Sequence, residues 1–557
     1  MKKSVIIIAV IAIGSLLGFQ YFGRPAYKRH KEARSIQQAK SFMANHDYRN
    51  ASLSARQAWQ LNPKNLEACR IMEEIAEMSP FPAVLLDWRR RIADLAPTAE
   101  NKIRLASTAL RAQGAPYPLT AQILEEIGDS AKDVAAYHVV AAELALKLNK
   151  VSEAAEQFEQ ASRLEPTNQL HQLNLAVLRL SSTNASQASA AWATLESLRT
   201  STNIGAFALR WLVTESVRRN DLAGAFRFSQ QLMDHPHCVL DDRLQHLSIL
   251  QKAKNPEFDP YLNTMRESAN TNAVDIRAIS VWMIGHGLVD EAMNWLSQRP
   301  APVRAEQPVR LAFVEGYLAK QDWGSLEAFL GDQKWGDMEY LRSAFLARAA
   351  WEQKQDLAAD ARWRTAVREA GDRLGSMTTL VGLADRWRRE KAKEDLLWQI
   401  SQRFPKERWA LRELGRFYMA TTNTRGLNKV YSAMANFEAK DFVYRHNLAA
   451  TSLLLKINLP NAHELAKELY AKHPEEALIT STYAYSLHLQ GRTREGLAAL
   501  EKLNTESIEK PQVALYYGVL LSAIGETNKA RKYLELAQHA DVLPEEKALL
   551  AAALKAP

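Results

Sequence analysis

"HDYRNASLSARQAWQLNPKN", residues 46–65, is the stretch on which the fold reading turns. Tyr48 is followed by Ala51, Ala55 and Ala58, and Leu61, Asn62 and Pro63 close the run. Intervals of three and four residues put those alanines on one face of a helix. Three methyl-sized side chains on one face mark a place where a second helix approaches closely. A proline just beyond cannot continue the helix and turns the chain.

The ending recurs. "IADLAP" closes at Pro97, "QASRLEP" at Pro166, "LMDHP" at Pro236, "SQRFP" at Pro405 and "LYAKHP" at Pro474. Counted from Pro63, the intervals are 34, 69, 70, 169 and 69 residues, which are one, two, two, five and two copies of a period near 34 or 35. Self-similarity at that period outranks any local reading. Each period reads as two short amphipathic helices with a turn between them.

This pattern resembles the tetratricopeptide repeat (TPR), a helix–turn–helix unit of about 34 residues. In the opening copy Ala39, Phe42, Asp47, Tyr48, Ala51, Ala58 and Pro63 match its signature, with Ala55 where a larger residue is usual. A second copy has Ala142, Ala154, Phe158, Ala161 and Pro166; a third has Gly415, Tyr418, Tyr431 and Met434. A fourth has Ala450, Leu453, Ala462, Ala466 and Pro474, and the last clear one Gly518, Leu521, Gly525, Ala530, Leu534 and Ala537. The resemblance covers 35–540 and fades between 240 and 400. There "KQDWGSLEAFL" and "KQDLAADARWRTA" keep the turn but the closing prolines are lost. It implies an all-α, TPR-like α-solenoid, a right-handed superhelix in which each pair buries its apolar face on its neighbours, with 12 to 15 recognisable pairs.

Length agrees: 557 residues exceed what one compact core holds. The hydrophobic fraction of 47% is that of a folded protein, and the low use of glycine and proline suits helices. The pI of 9.2 suggests a polyanion partner until the charges are placed. Residues 1–34 hold seven Lys and Arg against Glu32, so six of the eight net positive charges sit there and the body carries +2. That distribution excludes a nucleic-acid-binding body and marks the flank of a membrane segment.

"SVIIIAVIAIGSLLGFQYF", residues 4–22, has no charged side chain. As a helix it would span about 28 Å, close to the bilayer's hydrocarbon thickness. "MKKS" would also begin a signal peptide, but no A-x-A site precedes Arg24 and no lipobox cysteine follows, so an uncleaved anchor is expected. The flanking charges slightly favour a cytoplasmic body, and the simple lysine-led anchor suggests a bacterial inner membrane. The expected order is thus a tail at 1–3, a transmembrane helix at 4–22 and a basic juxtamembrane segment at 23–34. The TPR array follows at 35–240, degenerate TPR-like repeats at 241–400, the C-terminal array at 401–540 and a capping helix at 541–557. "PEEKALLAAALK" supports the last, with proline and acids at its start and lysine at its end.

Chemistry is harder to find. GxxxxGK[ST], GxGxxG, G-x-S-x-G and H-E-x-x-H are all absent, so neither an enzyme nor a cofactor is expected. "DHPHCVLDD" gathers His235, His237, Cys238, Asp241 and Asp242, which could ligate zinc. The simpler reading is a repeat boundary, with a helix starting near Asp241 and Asp241 or Asp242 as its N-cap. Glu125–Glu126 and Asp241–Asp242 are adjacent carboxylates pointing apart on a helix, which reads as solvated face. Cys69 and Cys238 exclude a disulfide framework and a four-cysteine zinc site but leave a single bridge open. Trp192, Trp295 and Trp351 read as core or repeat-interface residues.

Residues 362–416 depart from the average, with 14 Lys and Arg against 8 Asp and Glu. Trp409, Arg412 and Arg416 share one helix face there, and the TPR resemblance places them on the concave groove, with Arg386 joining from the preceding unit. An aromatic beside arginines suits an acidic peptide, a C-terminal carboxylate or a sugar phosphate. The competing reading is an arginine-rich solvated surface laced with ion pairs. The function expected is a non-enzymatic, membrane-anchored scaffold holding protein partners in envelope assembly, export or secretion. The alternative is a binder of an anionic glycan or lipid intermediate serving a polysaccharide-synthesis complex.

Overall fold

A computed structural model describes residues 24–555, except 80, 81, 113, 115, 332, 439 and 440. The expected anchor at 4–22 lies outside the described residues. Among those described, every regular element is a helix, and none is long and apolar enough to cross a membrane.

The chain divides into two compact units, the first ending at Arg304 and the second beginning at Ala305. The first contains eight helix pairs, from Arg24–Ala44 with Tyr48–Leu61 to Ala273–Gly285 with Val289–Ser297. The second contains seven, from Gln307–Lys320 with Trp323–Gly331 to Pro511–Ala523 with Thr527–Ala537, and ends in Pro544–Leu554. Fifteen pairs among the described residues reach the top of the expected range. The expected partition at 240 and 400 is not the structural one, since repeats run through both positions without a break. The boundary between 34 and 35 also falls inside a helix. Glu32 accepts a hydrogen bond from Asn62 Nδ2 at 2.9 Å, so the basic segment already belongs to the first pair.

In the opening stretch Ala39, Ala51, Ala55 and Ala58 are fully buried, and Asp47 caps its helix by accepting from the Asn50 N–H at 3.2 Å. Pro63, Pro97, Pro166, Pro236, Pro405 and Pro474 all fall in connections between one pair and the next, and five pairs lie between Pro236 and Pro405. The turn inside most pairs is a second repeating device. A residue of positive φ ends the first helix, from His46 (58°) and Asn149 (60°) through Lys354 (61°) and Arg388 (56°) to Gly525 (87°). The following N–H then reaches back five residues, as from Asp47 to Phe42 O (2.9 Å) and from Arg389 to Ala384 O (2.8 Å). That bond satisfies a carbonyl the helix would otherwise leave unpaired. The two "KQD" stretches use this turn one residue out of register: Gln321 takes the positive φ in the first, Lys354 in the second.

The stretch from 241 to 400, expected as degenerate TPR-like repeats, continues the helix pairs. Tryptophans join buried small residues in its core, where Ala344, Ala347, Ala350, Ala359 and Ala366 are fully buried. Trp351 and Trp363 lie 5.5 Å apart, Trp363 and Trp387 6.3 Å, and the Arg389 guanidinium sits 4.6 Å over Trp351. The rings add apolar area beside these small contact residues. Trp295 and Trp351 are buried, and Trp192 is half-buried beneath Arg219.

"DHPHCVLDD" is a repeat boundary with one correction. The helix starts at Leu240 with Val239 as its N-cap, and Asp242 accepts from the Val239 N–H at 2.9 Å. Asp242 is buried rather than solvated, because Arg210 from the preceding pair donates two hydrogen bonds of 2.8 Å to it. Cys69 and Cys238 are free thiols. No cluster of His, Cys, Asp and Glu suited to a metal occurs among the described residues. Glu125 and Glu126 are exposed.

Within the pair Phe442–Leu455 and Leu459–Lys472, Arg445 Nη1 and Lys472 Nζ bond Glu468 at 3.2 and 2.8 Å. Arg445 first, then Lys472, hold the Glu468 carboxyl down to about 2. A carboxyl depressed by folding stabilises the native state above its unfolded value near 4.5, and that contribution disappears as pH falls through about 2. The carboxylate is solvent-accessible, so the gain stays below about 1 kcal/mol. An NMR titration should place its midpoint near 2 and return it toward 4.5 in Arg445→Met.

Candidate partner-binding groove

Four consecutive first helices of the second unit, Trp409–Ala420, Phe442–Leu455, Ala477–Leu489 and Pro511–Ala523, line one cavity of about 780 Å³. Each contributes residues at helical spacing. These are Arg416, Met419 and Ala420; His446, Asn447, Ala450, Thr451 and Leu454; Leu478, Ser481 and Thr482; and Gln512 and Tyr516. Steps of three and four residues put each set on one face, so the groove is written into the helices themselves. Its volume lies within the range of ordinary ligand sites.

The lining mixes donors with an apolar floor. His446 Nε2 lies 2.8 Å from Thr482 Oγ1 and 3.0 Å from the Leu478 carbonyl, and burial pushes its imidazole pKa down. Asn428 donates to Thr451 Oγ1 at 3.0 Å and to Ser452 Oγ at 2.8 Å from behind the wall. Burial, reinforced by the Glu546 carboxylate, pushes the Tyr516 phenol well up, which keeps it a donor. Leu454 and Leu478 supply apolar surface, the latter half exposed at 51%.

Of the four residues singled out in the sequence, only Arg416 lines this cavity. It is exposed and pairs with Glu413 at 2.9 Å. Arg412 and Arg386 are exposed, and no ion pair to either occurs among the described residues. Trp409 is half-buried against the core at the start of its helix. Several neighbours in the basic stretch are neutralised locally, Arg362 by Glu327, Lys393 by Asp385 and Arg408 by Glu438.

The C-terminal helix departs from the expected cap. Pro544–Leu554 packs on the last pair but also reaches Phe442–Leu455, two first helices back. Glu545 accepts from Thr424 Oγ1, and Glu546 accepts from the Tyr516 hydroxyl at 2.6 Å. Leu543 packs against two core clusters at once, one containing Leu427 and the other Val513. These contacts turn the segment inward, so that Ala540, Asp541, Val542, Leu543, Glu546 and Lys547 form part of the cavity wall. No spacing rule could show this, because the partners come from pairs three steps apart.

No protein-family model matches the chain, and no curated protein matches it. Two of the solved structures similar to the chain illustrate the likeness. One is PilW, a type IV pilus biogenesis factor, at 17% identity over 42% of this chain and 92% of that one, with a TM-score of 0.25. The other is a chain of the APC/C hetero-tetramer Cut9–Hcn1, at 10% identity over 95% of this chain and 98% of that one, with a TM-score of 0.31. Likenesses this distant carry nothing about function.

Proposed function

We propose that the chain is a membrane-anchored scaffold without catalytic chemistry of its own, and that its groove holds an extended segment of a protein partner. The carrying observation is the cavity of about 780 Å³, with hydrogen-bonding groups from four successive helices above an apolar floor. Peptide recognition needs that combination: polar groups set the register of the bound backbone, and apolar surface supplies affinity. Arg416 on the groove wall, with the exposed Arg412 and Arg386 in the same basic stretch of sequence, favours an acidic segment or a C-terminal carboxylate. The charge-free run at 4–22 supports the anchor, and envelope assembly, export or secretion at a bacterial inner membrane is the setting proposed. A body carrying only +2 argues against nucleic acid.

Arrays of acidic and neutral peptides, with anionic glycans beside them, test the reading on the purified chain. Acidic peptides should be retained, and Arg416→Glu should weaken them roughly tenfold, as expected for a lost charge-assisted hydrogen bond. Leu478→Asp should do the same without loss of helix content. Glycans retained with no peptide bound would transfer the groove to the glycan or lipid-intermediate reading. A C-terminal reporter active on one side of the membrane places the body.

A further inference from the structure

The first helix, Arg24–Ala44, carries six Lys and Arg and a single acid, Glu32. Lys40 pairs with Glu67, but Arg24, Lys28, Arg29, Lys31 and Arg34 make no ion pair among the described residues. Glu32 is turned elsewhere, accepting from Asn62 Nδ2 at 2.9 Å and from Asn65 Nδ2 at 2.5 Å. This placement weakens the helix. Steps of four and three set Arg24, Lys28 and Lys31 beside one another, where like charges repel, and cations in the first turns oppose the helix dipole. The stability of the fold therefore does not explain the cluster, and its counter-charge has to come from outside the chain.

The partner helix Tyr48–Leu61 ends level with Glu32, so the eight residues before Glu32 run on alone for about 12 Å. Arg24 and residues 26–30 are exposed there, Tyr27 at 65%. The charge-free run ends at Phe22, two residues before Arg24. A bilayer's headgroup layer is about 5 to 8 Å thick on each side, so an overhang of this length crosses it, and a tyrosine suits that depth. Arg29 also lines a cavity of about 560 Å³, but Glu32 and Glu67 line it too, so the cations act as a surface rather than a pocket.

We propose that Arg24, Lys28, Arg29, Lys31 and Arg34 bind the phosphates of anionic lipid headgroups, and that this contact seats the first helix pair on the bilayer surface. It rests on the membrane reading and adds the lipid class and the residues that select it. Attraction to an anionic surface grows with each Lys or Arg near it and fades within a Debye length, about 8 Å in physiological salt. The contact reaches the repeat directly. Glu32 is bonded to the connection that follows the second helix, and Ile36 and Ala39 are buried one and two turns further on, so the cations sit on a rigid extension of the pair and not on a loose tether.

Native mass spectrometry of the full chain, released from micelles holding equal phosphatidylglycerol and phosphatidylcholine, provides the test. Phosphatidylglycerol adducts should outnumber phosphatidylcholine adducts at least roughly fivefold. The preference should vanish when Arg24, Lys28, Arg29, Lys31 and Arg34 are all changed to Gln. It should persist when five exposed cations elsewhere, Lys252, Lys254, Arg277, Arg304 and Arg364, are changed to Gln instead. Hydrogen exchange across residues 48–61 should slow in vesicles containing phosphatidylglycerol relative to neutral ones, and should not slow in the first variant. Equal adducts of the two lipids, or a preference that only the second variant abolishes, would overturn the proposal. Loss of the adducts to an equal concentration of inorganic phosphate would overturn it in favour of a soluble anion. A preference with unchanged exchange at 48–61 would overturn the seating of the pair. A chain that floats with neutral vesicles yet shows no lipid preference overturns the proposal and leaves the anchor intact, whereas one that floats with neither neutral nor anionic vesicles overturns both.

Discussion

Arg89→Ala is expected to destabilise the first unit by about 3 kcal/mol, at the lower end of what breaking a buried ion pair costs. Arg89 and Glu73 are 7% and 4% exposed, and Nε donates to Glu73 Oε1 at 2.8 Å. The guanidinium also donates to Thr108 Oγ1 at 2.6 Å and pairs with Glu77. It therefore joins Leu66–Glu77 and Pro82–Leu95 to Ala99–Ala112 of the next pair. Truncation leaves a buried carboxylate whose remaining partner is Arg104, at 3.0 Å. That residual contact keeps the loss near the lower bound. Replacing both charges, Arg89→Met with Glu73→Leu, should recover most of the loss, since no ion is then held out of water. Because stacked repeats need not unfold in one step, hydrogen exchange should be followed beside urea denaturation. The single variant should lose protection first across residues 66–112. Unchanged protection there would mean that the pair contributes nothing net.

Ala51→Trp should cost a comparable amount, a few kcal/mol, by a different route. Ala51 is completely buried on the face where Tyr48–Leu61 meets its neighbours. An indole there forces the helices apart, and the surrounding close-packed alanines have no rotamers through which to relax. Arg412→Ala, at an exposed position with no ion pair among the described residues, should stay within about 0.5 kcal/mol. Thermal unfolding of the two variants side by side checks the repeat register. Equal losses would mean that the alanines are not the contact points.

The repeat was legible because its signals are local. Ala51, Ala55 and Ala58 lie within one helix, and each proline acts on the turn beside it. Between 241 and 400 the closing prolines are lost, so the repeat is harder to trace in the sequence although the helix pairs continue. Trp351, Trp363 and Trp387 meet there across two helix pairs, beside the buried Ala344, Ala359 and Ala366, and ring contacts between successive pairs are not written in the spacing of either one. Asp242 looked solvated because its partner Arg210 belongs to the preceding pair. Of the residues read from the sequence as a groove, only Arg416 lines the cavity, since Trp409 spends its ring on the core.

By itself, then, the sequence determined the helical period, the pairing of each helix with the next and the close contacts at small residues. All of these depend on interactions within about 34 residues, where spacing along the chain is spacing in space. Tertiary structure alone decided which arginines are neutralised, which carboxylates are buried and where the C-terminal segment lies. Thr424 and Glu545 meet only because the intervening pairs stack and curve, and contact at that separation leaves no periodic trace in the chain.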